Sequence, residues 1–349
     1  YFADHIQYNY RTFNPAQPDL GNFSRGDFSH ITQSNRTVTL TIKGPFQSAG
    51  VYALPGQTFK VSRLDDNSTA ITNVFINSLR SAASKPFSSN GYIRPKYLQS
   101  VRISLQPGET IQLTSPYGGP VQVGFSGESG LPTTLIFEHI GRHPYWRSSK
   151  DNASFATAME QENFDWVEVA TPYFEVHSTL SKMKSTLLSN ANWTTAETLA
   201  TAINTYIHDY PHVLAGFQGD GITQIPEIYD FATQLGWTIN EQTTVKHMNA
   251  DQATCGAGCS GNPYDANWAF NPVGHGDIHE LGHGLEKGRF RFSGWEGHAS
   301  TNPYSYYSKS QFFKKTGQEP HCQNLPFSSM YETLQIAQNQ PDPFTYMQQ

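Results

Sequence analysis

Gly276-Asp277-Ile278-His279-Glu280-Leu281-Gly282-His283-Gly284 sets two histidines four positions apart, with a glutamate directly after the first. On a helix, positions i and i+4 share one face about a turn apart, so both imidazoles project together. That spacing suits zinc, and Glu280 can take a proton from a water that attacks a carbonyl. The competing reading is a polar helix face with incidental histidines, in a chain that holds 13 of them. Glycines at 274, 276, 282, 284 and 288 weigh against it. Each costs up to about 1 kcal/mol relative to alanine inside a helix, and a purely structural helix has no use for so many. Gly282 lets another backbone or a substrate approach beside His283, while Leu281 and Leu285 can anchor the helix in a core.

Two histidines need a third ligand. The metzincin pattern would place Gly at 286 and His at 289, but the chain has Glu286 and Arg289, which excludes that class. Glu286 lies seven residues past His279, roughly 10 Å along the axis at 1.5 Å per residue, too far to share a metal. Glu296, in Ser293-Gly-Trp-Glu-Gly-His298, follows a short turn and opens the next helical stretch, expected over 295–313. A helix returning antiparallel can aim Glu296 at the pair, and His298, two residues on, would then face away. Two His and one Glu leave the fourth zinc position open, as catalysis requires. For a second oxyanion donor, Tyr304, Tyr306, Tyr307, His275 and His298 are candidates by proximity in sequence. His247 and Asp251 are candidates to orient a ligand histidine.

Upstream, residues 36 to 140 read as strands. Thr37-Val-Thr-Leu-Thr-Ile-Lys43 alternates at period two. Val51-Tyr-Ala-Leu-Pro-Gly-Gln-Thr-Phe-Lys-Val61 is echoed by Ile103-Ser-Leu-Gln-Pro-Gly-Glu-Thr-Ile-Gln-Leu113. Each carries a Pro-Gly corner between alternating apolar residues, the signature of a tight turn between paired strands. After about residue 150 helical spacing takes over, at 179–188, 195–208, 227–235, 274–287, 295–313 and 328–338. Thr194 or Thr195 is the N-cap expected ahead of Glu197. The Gly-, Asn- and Cys-rich run over 249–272 reads as an ordered surface loop.

Composition excludes several classes. Among 349 residues only 15% are charged and 13% are aromatic, with a formal net charge of −6. That balance offers no electrostatic footprint for nucleic acid. No run approaches the roughly 20 apolar residues of a spanning helix. Polarity carried by Ser, Thr, Asn and Gln is common in secreted proteins that meet carbohydrate. Cys255-Gly-Ala-Gly-Cys259 can close a disulfide, which leaves Cys322 odd. A chain opening at Tyr1 without an initiator Met reads as a mature or excised segment, and it is expected to continue past Gln349.

The zinc motif His279-Glu-Leu-Gly-His283 stands with Glu296 and Ser300-Thr-Asn-Pro-Tyr-Ser305. Upstream are Gly50-Val-Tyr-Ala-Leu-Pro-Gly56, Ser115-Pro-Tyr-Gly-Gly119 and Ala170-Thr-Pro-Tyr-Phe-Glu175. This ordered set resembles the enhancin-like, mucin-degrading gluzincin metallopeptidases, and within them most of all the bacterial immunomodulating metalloproteases. The resemblance runs from about residue 36 to 313. It implies zinc at His279, His283 and Glu296, Glu280 as general base, and cleavage of O-glycosylated, mucin-type proteins beside glycosylated Ser or Thr.

Sequence and resemblance together give an α+β expectation: an N-terminal β-sandwich-like module over 1–150, then a mainly helical zincin catalytic domain over 151–349. The expected protein is a monomer, secreted or at the cell surface, with no nucleic-acid partner and no membrane span. A general zinc endopeptidase without glycan dependence, and a non-catalytic glycan-binding adhesin, are the competing readings.

Overall fold

The computed structural model describes residues 27–78, 99–127, 129–250, 258–286, 298–320 and 326–347. The architecture is α+β. Eight strands come first: β1 (Ser34–Thr41), β2 (Phe46–Ala53), β3 (Thr58–Arg63), β4 (Ala70–Ile76), β5 (Ile103–Ser104), β6 (Thr110–Thr114), β7 (Gly119–Gly127) and β8 (Pro132–Ile140). They form two four-stranded sheets, ordered β1-β8-β3-β6 and β2-β7-β4-β5. Val38, Leu40, Val61 and Phe137 of the first sheet share a core with Val51, Val74, Val121 and Val123 of the second.

The two Pro-Gly corners do not join paired strands. β2 belongs to the second sheet and β3 to the first, and β5 and β6 are divided in the same way. Each corner therefore carries the chain across the sandwich. Alternating apolar residues define a strand and its inward face, but both sheets face the same core. The pattern is blind to which sheet supplies the hydrogen-bonding partner.

The later half contains more sheet than a mainly helical expectation allows. β9 (Tyr145–Trp146), β10 (Trp166–Ala170), β11 (Phe174–Thr179), β14 (Lys246–Ala250), β15 (Gly258–Cys259) and β16 (Tyr264–Ala266) form a six-stranded sheet ordered β15-β16-β14-β11-β10-β9. A short pair, β12 (Phe217–Gln218) and β13 (Asn240–Glu241), lies apart from it. Trp166–Ala170 is buried at every position, the polar Glu168 between Val167 and Val169 included. The stretch expected as a surface loop over 249–272 instead supplies β15 and β16, and Tyr264, Asp265 and Ala266 are fully buried.

The helices are α1 (Asn152–Gln161), α2 (Leu180–Leu188), α3 (Ala196–Ala202), α4 (Tyr210–Leu214), α5 (Pro226–Gln234), α6 (His275–His283), α7 (Asn302–Thr316), α8 (Phe327–Ala337) and α9 (Pro343–Met347). Of these, α1, α2, α3 and α6 pack against the sheet. A π-helical turn over Ile203–Asp209 joins α3 to α4. Thr195 caps α3, accepting the Thr198 amide at 3.2 Å. Val167, Val169, Val176 and Met248 meet Leu199, Ile203, Ile278, Leu281 and Phe312 in one core. Strand periodicity turns the intervening Glu168, Glu175, His177 and His247 to the opposite face. There they meet the sandwich, where the Ser48 amide donates to Glu175 and the Gln122 side-chain amide to Glu168.

Two helix boundaries differ from expectation. α6 stops at His283, and α7 starts at Asn302 rather than near 295. Pro303 in the first turn of α7 explains its start: proline suits a helix opening, where its missing N–H is not needed. Cys255, Cys322, Asp251 and Glu296 lie outside the described residues. Among the described residues no helix is long and apolar enough to cross a membrane.

Candidate metal centre

Helix α6 is oriented from beneath. Ile278, Leu281 and Leu285 are buried in the core, so His275, His279 and His283 line a partly open flank. In the first turn, buried Asp277 accepts the Tyr264 hydroxyl at 3.0 Å and the Asn271 amide at 3.1 Å. Burial pushes the Asp277 carboxyl up to about 7, against the pull of its hydrogen bonds. The glycines are explained by close packing. A Cβ on Gly276 would stand 2.7 Å from the Trp268 ring, and one on Gly282 3.0 Å from Tyr304 and 3.2 Å from Thr301. The close neighbour that Gly282 admits is thus α7 and the residue just before it.

The two motif histidines face each other, with Nε2 atoms 3.2 Å apart. His298 joins them, its Nδ1 lying 2.9 Å from His279 Nε2. The sequence has His298 facing away if Glu296 faces the metal; the structure sets His298 beside the two motif histidines, where 298–300 form a turn before α7. Glu296, the carboxylate expected there, lies outside the described residues. Ligand atoms of His279, His283 and His298 all fall within 4.8 Å of one another.

The protons of this cluster are largely assigned by its surroundings. Thr301 Oγ1 donates to the His298 carbonyl at 2.9 Å, which uses its only proton. It must therefore accept from His279 Nδ1, 2.5 Å away, leaving the His279 lone pair on Nε2. On the other side, Glu286 Oε1 lies 3.4 Å from His283 Nδ1 and is itself held by the Ser300 hydroxyl at 2.7 Å. That carboxylate favours the proton on Nδ1 and the lone pair on Nε2. Burial, helped by the neighbouring histidines, pushes His279 down to about 4, so its imidazole is neutral, as ligation requires.

Two nitrogens thus converge on a single lone pair, and one proton can bridge only one of those edges. A cation among the three satisfies them all. Around a tetrahedral zinc with bonds of about 2.0–2.1 Å, ligand nitrogens stand roughly 3.3 Å apart. The observed 3.2 Å between His279 and His283 is close to that spacing, and the 2.9 Å to His298 is shorter than it.

Glu280 is half-buried and points to β15. Its Oε1 lies 2.7 Å from where a Cβ of Gly258 would sit, beside Trp268. Other sequence candidates separate. The His275 ring stands 5.3 Å from that of His279, with its Nδ1 3.3 Å from Ser305 Oγ. Tyr304 is buried against Gly282, Tyr306 is exposed, and Tyr307 packs edge-on against Tyr210. His247 belongs to the buried cluster under the sandwich rather than to this centre. Thr301, Glu286 and Ser300 were not anticipated as partners of the histidines. The signal available for Thr301 is its place just before Asn302-Pro303, a helix start that fixes the side chain beside α6.

No family model matches the chain. An immunomodulating metalloprotease of Pseudomonas aeruginosa is 29% identical over 361 residues, which span 98% of this chain and 39% of that protein. The solved IMPa metallopeptidase from Pseudomonas aeruginosa superposes with a TM-score of 0.76 at 28% identity, over 96% of this chain and 39% of its own. The same enzyme in complex with an O-glycopeptide gives 0.78 at 27% identity, over 97% and 40%. The M60 catalytic domain from Clostridium perfringens ZmpC shares the fold, at 14% identity and a TM-score of 0.51 over 79% of this chain and 57% of that one. The chain therefore spans about two fifths of the length of its immunomodulating relatives, and it resembles the bacterial immunomodulating metalloproteases in sequence and in fold over nearly its whole extent.

Proposed function

We propose that this chain is the catalytic part of a secreted or cell-surface zinc endopeptidase that cuts O-glycosylated, mucin-like proteins next to glycosylated Ser or Thr. The observation that carries this reading is the convergence of His279 Nε2, His283 Nε2 and His298 Nδ1, with Glu280 one residue from the first. His279, His283 and Glu296 would hold the metal, with the His298 nitrogen standing beside the pair. A bound zinc would supply Lewis-acid polarisation of the scissile carbonyl and acidify water at neutral pH.

The chain's own groups do the rest. Thr301 and Glu286 hold the imidazole planes of His279 and His283 and keep their outward nitrogens unprotonated. Glu280 accepts a proton from the attacking water and returns it to the leaving amine, a role in which its half-buried carboxylate keeps access to solvent. Packing of α6 against α7 at Gly282 keeps these groups in register.

The substrate class is supported by the relatives: the Pseudomonas aeruginosa metallopeptidase was solved with an O-glycopeptide and with T-antigen. We assign the division near residue 150, a monomeric state and a Cys255–Cys259 disulfide to the same reading. The test is to incubate the zinc-loaded protein with a mucin before and after enzymatic deglycosylation and to map cleavage sites by mass spectrometry. Cuts confined to the glycosylated form, beside modified Ser or Thr, are expected. Equal cutting of both forms would make it a general endopeptidase, and glycan binding without any cutting would make it an adhesin.

A further inference from the structure

A second group of metal-type ligands lies beneath the sandwich, apart from the centre on α6. Glu175 and His177 are two apart on β11, and His247 on β14 pairs in register with Glu175. All three side chains therefore share one face of the sheet, and each is at most 1% exposed. Glu168 of β10 stands directly across from His177. Its carboxylate accepts hydrogen bonds from His143 Nε2 at 2.9 Å, His177 Nδ1 at 2.7 Å, Gln122 Nε2 at 2.7 Å and the Ser48 hydroxyl.

This arrangement orients His177. Its Nδ1 proton goes to Glu168, so Nε2 offers a lone pair to the interior. That atom is 3.1 Å from His247 Nδ1 and 3.7 Å from Glu175 Oε2, while His247 Nδ1 and Glu175 Oε2 are 3.6 Å apart. The three separations bracket the roughly 3.3 Å between ligands around a tetrahedral zinc. A histidine that gives its rear proton to a carboxylate and points its other nitrogen at a cation is the usual companion of a metal.

Charge argues the same way. Glu168 is saturated with donors, but Glu175 receives one hydrogen bond, from the Ser48 amide at 2.9 Å. The field of Arg147 reaches it, yet among the described residues no Lys or Arg forms an ion pair with it. A hydrogen bond between the two imidazoles satisfies one edge of the triangle and leaves Glu175 with a single hydrogen bond in the interior, where burial pushes its carboxyl up to about 7. A divalent cation satisfies all three edges.

We propose that Glu175 Oε2, His177 Nε2 and His247 Nδ1 bind a divalent transition-metal ion of the zinc class, in a fully buried site that ties the sandwich to the six-stranded sheet. Imidazole and carboxylate donors suit that class. Full burial makes the site structural, filled as the chain folds, and independent of the centre on α6.

The experiment removes the α6 centre and counts what remains. In His279→Ala/His283→Ala, elemental analysis after dialysis against a weak chelator should still find about one metal equivalent, and adding His247→Gln should abolish it. Cobalt reconstitution of the double variant should give visible absorption of a protein-bound ion with nitrogen ligands, a readout that leaves the cluster unmutated should His247→Gln fail to fold. A folded double variant that holds no metal and takes up no cobalt overturns the proposal. So does retention of the ion by a folded His247→Gln triple variant.

Discussion

Thr301 Oγ1 accepts the Nδ1 proton of His279 at 2.5 Å while donating its own proton to the carbonyl of His298. One hydroxyl therefore sets the tautomer of one proposed ligand and braces the backbone of the histidine beside it. Thr301 is fully buried and stands at the foot of α7, so the brace is as rigid as the helix that carries it.

Replacing that hydroxyl should weaken the metal without unfolding the chain. Thr301→Val keeps the shape and removes the acceptor, and zinc affinity measured by chelator competition should fall roughly 10–100-fold. Thr301→Ser, which keeps the oxygen, should retain most of it.

Glu280→Gln removes the proton acceptor and preserves size. Turnover of a glycosylated substrate should drop by about 10²–10⁴ while metal content by elemental analysis stays unchanged. Metal loss in parallel with activity would instead make Glu280 a ligand.

His298 and Glu296 make opposite claims on the third position. Glu296→Ala should cost more zinc affinity than the roughly 10–100-fold expected of an outer partner such as Thr301. His298→Ala should retain most of the metal. The reverse order, read by isothermal titration with zinc, would give the third position to His298.

Asp65 gives a pH-dependent test of the sandwich. It pairs with buried Arg63 at 2.8 Å, and Arg63 also donates to the carbonyls of Ala70 and Leu105. Burial pushes the Asp65 carboxyl up, but hydrogen bonds from Arg63 and Thr133 outweigh it and hold the carboxyl below its ordinary value. A lowered folded value means stability that is present above the ordinary carboxylate range and is lost as pH falls through the folded value. Asp65→Asn should destabilise by about 2 kcal/mol at neutral pH, less than a wholly stripped buried pair because Arg63 keeps its carbonyl acceptors. In urea titrations the gap between wild type and variant should close as pH drops from about 5 to below 3.

The readable part of the site was local. His279 and His283 share a face because four residues nearly complete a helical turn, and that holds wherever the helix packs. The same reasoning failed for His298. It treated 295–313 as one helix, whereas the turn at 298–300 precedes α7, which opens only at Asn302. Pro303 carried that boundary in the sequence, and only its use as a start signal separates the two accounts.

The sandwich shows the same division. Alternation marked the strands around Pro55-Gly56 and Pro107-Gly108 and the faces they bury, yet both corners cross between sheets. β10 is buried on both faces, so the polar Glu168 between Val167 and Val169 does not mark a solvent side.

By itself, then, the sequence determined the strand-rich first half, most of the helices that follow and the spacing of the His279–His283 pair, since each depends on residues within a turn or a strand of one another. Only the tertiary structure decided that Thr301 and His298 meet His279, and that Glu168, Glu175, His177 and His247 gather beneath the sandwich. Those meetings depend on strand register and helix packing between segments far apart in the chain, which no local period encodes.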